Sequence, residues 1–249
     1  MTNDKGLFFL HIPKTAGQTV HSVLVEQYPE EEFCPARTYA EFSKSSDKNY
    51  KLYSGHLNWD FVDHLPQKLI TFTVLRDPCE RLASYYFYNK KQAESAISNN
   101  ENVDEHKRVI ASTSPDEYFF GQTSEMKRFI YDHYYNFYTF YFSTRRYDGY
   151  RNQSGAPESS IIDMALVNLR QIDCVEDVTN LNRVANFLNK EFGWHVSFDG
   201  VKVNVGDMPE YESRWSKLLD LFERDIHRNE IYNFVKLDYK LCYRFFGSR

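Results

Sequence analysis

The chain has 249 residues, of which 42% are hydrophobic and 26% charged, enough apolar material for a sizeable core and too much for global disorder. Thirty Lys and Arg against 35 Asp and Glu leave a formal net charge of −5, which argues against a general electrostatic nucleic-acid binder. Tyr and Phe number 19 and 20, an excess that suits aromatic binding walls as well as core.

The first apolar run, Leu7 to Ile12, predicts a short buried strand. It is far below the roughly 20 residues that span a bilayer, and no basic stretch with an export-type apolar region precedes it. Pro13 ends the run, Lys14-Thr15-Ala16-Gly17 forms a small-residue turn, and Val20, Val23 and Leu24 carry helical spacing onward from Gly17 to before Pro29. A second strand is expected over Leu69–Leu75, β-branched and apolar as a strand buried on both faces must be. Asp77 then offers an N-cap and Pro78 a first helical residue, with Leu82, Tyr85 and Tyr86 continuing the helix.

Residues 89–117 read as an exposed helix and loop, and residues 131–150 hold ten aromatic rings, more of them expected in the core than on an acceptor-binding wall. Arg145, Arg146 and Arg151 read as a solvated basic loop, with binding of an acidic acceptor as the other reading, and 151–160 as surface loop. A helix is expected over 161–169, a short strand over 171–175, and an amphipathic helix from Leu181 to Phe192 closed by Gly193. A loop at 200–210 and one or two helices over 211–234 complete the chain. Cys34, Cys79, Cys174 and Cys242 stand far apart without metal-ligand or disulfide spacing, so reduced thiols in a cytoplasm are expected. Two strand-to-helix units imply an α/β fold with a parallel sheet flanked by helices and ligands at the strand carboxyl ends. No repeat or linker divides the chain, so residues 1–249 are expected to form a single domain.

Both junctions carry anion chemistry. After the first strand, the backbone N–H groups and dipole of a helix start, the hydroxyls of Thr15 and Thr19 and the charge of Lys14 together describe a phosphate loop. Lys14 precedes Gly17, the reverse of the Walker A order, and no magnesium-binding carboxylate stands at the required place. An ordinary turn with a surface lysine fits the same residues. After the second strand, Arg76 can hold a phosphate with a bidentate guanidinium, and Ser84 lies two helical turns beyond Asp77. Arg81 reads as a surface partner of Asp77 or Glu80.

The segment HIPKTAGQT, beginning at His11, resembles the 5′-phosphosulfate loop of sulfotransferases that use 3′-phosphoadenosine 5′-phosphosulfate (PAPS). RDPCERLASYY, beginning at Arg76, is similar to their 3′-phosphate segment. Among these enzymes the carbohydrate group, with the heparan sulfate 2-O- and 6-O-sulfotransferases, is the nearest by motif. The close match covers about thirty residues, and looser likeness extends through 165–178 and to Asp238–Tyr243.

The resemblance implies a PAPS-dependent O-sulfotransferase with the sulfotransferase fold, a P-loop-like parallel sheet. Thr15, Ala16, Gly17, Gln18 and Thr19 would hold the 5′-phosphate, Arg76 and Ser84 the 3′-phosphate, and Lys14 the departing charge on the product PAP. Gly55-His56 stands in the family's G-H-x-x-x-x-F setting, which implies His56 as the general base. Gln18 departs from the Thr, Ser or Gly common there. Val201–Val205 resembles a late segment that closes over the nucleotide.

The implied partner is a hydroxylated acceptor, a glycan, glycolipid or small metabolite; nucleic acid and metal are not expected. With no anchor in sight, a soluble bacterial-type member or an excised catalytic domain is expected. Two other readings share the residues: a nucleotide kinase or NTPase on a phosphate-loop scaffold, and a non-catalytic glycan- or nucleotide-binding protein.

Overall fold

Short runs of branched and aromatic side chains pair into one parallel sheet in the computed structural model, which describes residues 5–44, 49–65, 67–201 and 212–247. In chain order these residues form β1 (Gly6–Leu10), α1 (Gly17–Val25), α2 (Tyr39–Phe42), β2 (Leu52–Gly55), β3 (Leu69–Leu75), α3 (Pro78–Ser98), α4 (Glu105–Ser112), α5 (Pro115–Phe120), α6 (Ser124–Tyr134) and α7 (Phe137–Thr144). There follow α8 (Gly149–Gln153), α9 (Glu158–Leu169), β4 (Cys174–Asp177), α10 (Leu181–Phe192), α11 (Arg214–Asp220), α12 (Asp225–Glu230) and α13 (Lys236–Phe246). The expected α/β fold, a parallel sheet with flanking helices, is the one present.

Two compact units divide the chain: residues 1–76 with 167–208, and residues 77–166 with 209–249. The first holds the sheet, in the order β2-β1-β3-β4 with every pairing parallel. Leu10 faces both Gly55 of β2 and Thr73 of β3, so the three strands end nearly level. The chain leaves β1 for β2 on one side and crosses to β3 on the other. That makes the carboxyl end of β1 a topological switch point, where open α/β sheets bind ligands.

β1 reads as unbroken apolar sequence because both its faces are covered. Leu7 and Phe9 pack with Val20, Leu24, Leu188 and Phe192 of α1 and α10, while Phe8 meets Tyr53 and Phe61 on the opposite side. Phe9 stacks on Phe72 of β3 with ring centroids 4.8 Å apart, and Phe9→Ala at this fully buried position would cost about 3–5 kcal/mol.

The second unit is helical. Its core gathers Leu82 and Tyr86 of α3, Tyr118 and Phe119 of α5, Ile130 and Tyr134 of α6, and Trp215, Phe222 and Phe234. The aromatic run at 131–150 is mostly core, with Tyr134, Phe137, Tyr138, Phe140, Tyr141 and Phe142 buried, and Tyr131, Tyr135, Tyr147 and Tyr150 half-buried. Asp238 ties α13 to α7, accepting from the Thr139 N–H and hydroxyl, both at 2.8 Å, and from the Tyr138 N–H at 3.2 Å.

Several local expectations shift. The strand expected over 171–175 lies at Cys174–Asp177, because Asp173 instead accepts from the Thr71 N–H and hydroxyl and pins the entry to β4. Part of the loop expected over 151–160 is helix in α8 and α9, and α3 runs on to Ser98 before two further helices. The loop at 200–210, with the family-like segment beginning at Val201, lies outside the described residues beyond Val201 itself. No disulfide joins the four cysteines. Among the described residues no helix is long and apolar enough to cross a membrane.

Candidate active site

The backbone after β1 takes a shape that ordinary residues avoid. Lys14 and Ala16 both have left-handed φ, 72° and 61°, a conformation that costs a non-glycine residue about 1–2 kcal/mol. Between them Thr15, fully buried, donates its hydroxyl to the Ile12 carbonyl at 2.9 Å and locks the turn. Left-handed residues on either side of one centre gather successive N–H groups into an anion-binding concavity. The nine-residue α1 starts at Gly17, immediately after Ala16, with no acidic residue in its first turn, and adds the positive end of its dipole. The hydroxyl proton of Thr15 is therefore spent within the turn, and its backbone N–H is what it offers an anion. Gln18 is exposed and Thr19 buried.

Gly17 has a specific reason to be glycine. A Cβ built there would lie 1.6 Å from Nε2 of His11, so the His11 imidazole rests directly against the first residue of α1. His11 follows β1, is 4% exposed, and stacks on Phe9 at 5.3 Å with an interplanar angle of 11°. Burial holds its pKa well below the usual imidazole value, helped by the charges of His56, Arg37, His21 and Lys14, so His11 is a neutral ring.

His56 follows β2 as His11 follows β1, and the level strand ends bring them together. Their ring centroids are 4.2 Å apart, tilted by 35°. Nδ1 of His56 lies 2.8 Å from the carbonyl oxygen of His11. A carbonyl only accepts, so the proton sits on Nδ1 and the lone pair on Nε2, the tautomer a base needs. The main chain of His56 is fixed too: its N–H donates to the Arg37 carbonyl at 2.8 Å, and its carbonyl accepts from the Tyr39 N–H at 3.1 Å. On α1, His21 hydrogen-bonds the Ser54 hydroxyl at 2.9 Å and touches the Arg37 guanidinium. Burial and then Arg37 lower the His21 pKa to about 4.

Arg76 leaves the end of β3 half-buried, at the same carboxyl edge of the sheet from which Lys14 and His56 emerge. Lys14, Thr15, Ala16, Gly17, Gln18, Thr19, His56 and Arg76 thus all belong to the sheet-bearing unit. Ser84 belongs to the helical unit, where it is 7% exposed on α3. Asp77 caps α3 by accepting from the Glu80 N–H at 2.9 Å, and Pro78 takes the first helical position.

A model of the sulfotransferase family matches residues 1–242. The chain belongs to that family. Over 90 residues the chain is 34% identical to a protein-tyrosine sulfotransferase of Arabidopsis thaliana, a stretch covering 35% of the chain and 18% of that relative's length.

The structure places some residues differently from what local sequence implies. Arg81 is no surface residue: it is 2% exposed, its guanidinium lies 4.0 Å from the Phe137 ring centroid, and it donates to the His133 carbonyl at 2.7 Å. Arg37 and His21 carried no local motif. His11 was legible as part of the loop motif, yet its contact with His56 depends on a strand pairing across 45 residues.

Proposed function

We propose that this sulfotransferase moves the sulfuryl group of PAPS to an acceptor hydroxyl on a carbohydrate or glycoconjugate, with His56 as general base. The observation that carries the reading is the 2.8 Å approach of His56 Nδ1 to the His11 carbonyl oxygen, beside a left-handed anion loop, which supports Nε2 as the basic nitrogen. The donor supplies an activated sulfur whose leaving group is the bisphosphate PAP. Backbone N–H groups from Thr15 to Thr19 and the start of α1 would hold the 5′-phosphate. Arg76 and Ser84 would hold the 3′-phosphate that sets PAPS apart from ATP. Nε2 of His56 would take the acceptor proton as the acceptor oxygen bonds to sulfur, and Lys14 would stabilise the charge that grows on the bridging oxygen as its bond to sulfur breaks. Fixed cations and dipoles supply the electrostatics of that scheme. The wide spacing of Cys34, Cys79, Cys174 and Cys242 in the sequence supports a reducing compartment such as the cytoplasm. All 249 residues would act as one catalytic domain.

The relative named for protein tyrosine adds phenolic hydroxyls to the acceptors worth testing. The deciding experiment is a screen with radiolabelled PAPS across neutral glycans, glycolipids, acidic oligosaccharides and tyrosine peptides, with mass spectrometry of the labelled product. Label on a sugar hydroxyl supports the proposal; label on tyrosine alone overturns the acceptor class. Thermal shift tests the donor: a ligand at about 100 times its Kd stabilises by about 2.7 kcal/mol. A larger shift with ATP–Mg²⁺ than with 3′,5′-ADP would replace the sulfotransfer reading with a kinase or NTPase.

A further inference from the structure

His11 touches both halves of the proposed machinery. Its ring lies against Gly17, the residue that opens α1 at the anion loop, and 4.2 Å from the ring of His56. Its main-chain oxygen holds Nδ1 of the same His56 at 2.8 Å. The ring itself has little freedom, being stacked on Phe9, which stacks in turn on Phe72 across the sheet. A rigid, buried ring filling the space between a glycine and a histidine is more than core packing here, because each neighbour belongs to a different part of the reaction.

We infer that His11 is a positioning residue that couples the anion loop to the base: its imidazole, wedged between Gly17 and His56, sets the angle at which its own carbonyl oxygen holds Nδ1 of His56. The inference rests on His56 acting as the base but reaches further. It says that the loop and the base are not independent sites and names the side chain that joins them. A backbone carbonyl can be aimed only by what fixes its own residue, and the stack on Phe9 with the stop against Gly17 does that. The imidazole is also the right size. A six-membered ring in its place would press on the Gly17 Cα, and a small side chain would leave a gap into which the His56 ring can tip. The cations around the pair are Lys14 from the loop and Arg37 from the segment before α2, with the neutral His21 ring of α1 beside Arg37, and together with burial they keep His11 neutral.

The test needs neither acceptor nor donor, so its failure is distinct from failure of the sulfotransfer reading, which the labelled-PAPS screen decides. Nitrogen NMR of the full chain, with imidazole nitrogens labelled, reads the tautomer of His56 directly. In the wild type Nδ1 is expected as the protonated nitrogen. His11→Ala should lower the ratio of the Nδ1–H to the Nε2–H form by roughly tenfold, about 1.4 kcal/mol. Gly17→Ala, whose new methyl displaces the His11 ring, should do the same although residue 17 has no hydrogen bond to His56.

The double variant should look like either single one, since both act through one ring. That non-additivity is the signature of coupling. An Nε2–H tautomer in the wild type, an unchanged His56 in Gly17→Ala, or additive effects in the double variant would each overturn the inference. Should His11→Ala fail to fold, His11→Phe replaces it. The larger ring keeps the stack on Phe9 but crowds Gly17, and it should shift the tautomer ratio in the same direction; a wild-type ratio in that variant would equally overturn the coupling.

Discussion

Nδ1 of His56 sits 2.8 Å from the main-chain oxygen of His11, across two parallel strands that end level with each other. The acceptor is a main-chain oxygen, so a substitution at position 11 keeps the oxygen and changes only how firmly it is aimed at Nδ1, leaving Nε2 as the nitrogen for the proposed base. A base in this position contributes about 10²–10⁴-fold to a proton-transfer step. His56→Ala is expected to lower kcat by that factor while binding of 3′,5′-ADP, followed by calorimetry, stays near the wild-type value. Turnover retained in full would remove His56 from the mechanism.

Arg76 is expected to discriminate by phosphate position. Hydrogen bonds to a charged group contribute about 1.5–3 kcal/mol, or roughly 10- to 150-fold in affinity. Arg76→Ala should therefore weaken 3′,5′-ADP by about that factor and leave 5′-AMP nearly untouched. An equal loss for the two nucleotides would place Arg76 elsewhere on the ligand.

How much of this was readable beforehand depends on where each signal lives. β1 and β3 were legible because a strand covered on both faces must be apolar throughout, and α3 because Asp77-Pro78 carries its own start signal. β2 was not, since Leu-Tyr-Ser-Gly is too short for a pattern and becomes a strand only by pairing with β1 and with the segment at 33–38. The loop and His56 were visible through motif resemblance. Arg37 and His21 were invisible, because their place near His56 follows from that edge pairing and from the face of α1 turned to Ser54. Arg81 was misread for a related reason: helix spacing identifies neighbours on the same helix, such as Tyr85, whereas the Phe137 ring and the His133 carbonyl that enclose its guanidinium come from other helices.

Lys14 combines two properties that one substitution normally confounds, a charge and a left-handed backbone. Lys14→Ala should depress kcat more than it raises KM, because charge on the leaving group is greatest in the transition state. Lys14→Gly should be equally slow yet more stable than Lys14→Ala by about 1 kcal/mol, since glycine takes φ near 72° without strain. Urea unfolding of the two variants separates backbone from charge. Equal stabilities would mean the turn is unstrained at that position.

Buried titrating groups oppose one another in setting acid stability. Burial lowers the pKa values of His21, His106 and His133 to about 4 in the native protein, against 6.5 for a free ring. The unfolded chain then binds protons that the native one refuses, so their contribution is complete above about 6.5 and is lost as pH falls toward 4. Asp238 has the reverse sign. Burial raises its carboxyl from 3.8 to about 6 despite the hydrogen bonds from Thr139 and Tyr138 and the charge of Arg81. Here the native state holds the extra proton, so stability from this group falls as pH rises from about 4 through about 6. Its ionisation costs on the order of 3 kcal/mol at neutral pH. Asp238→Asn loses an acceptor at every pH but removes the titration. Urea unfolding at pH 5 and pH 7.5 should therefore show the variant closer in stability to the wild type at the higher pH. A stability difference independent of pH would mean that Asp238 is ionised in the native state across the whole range.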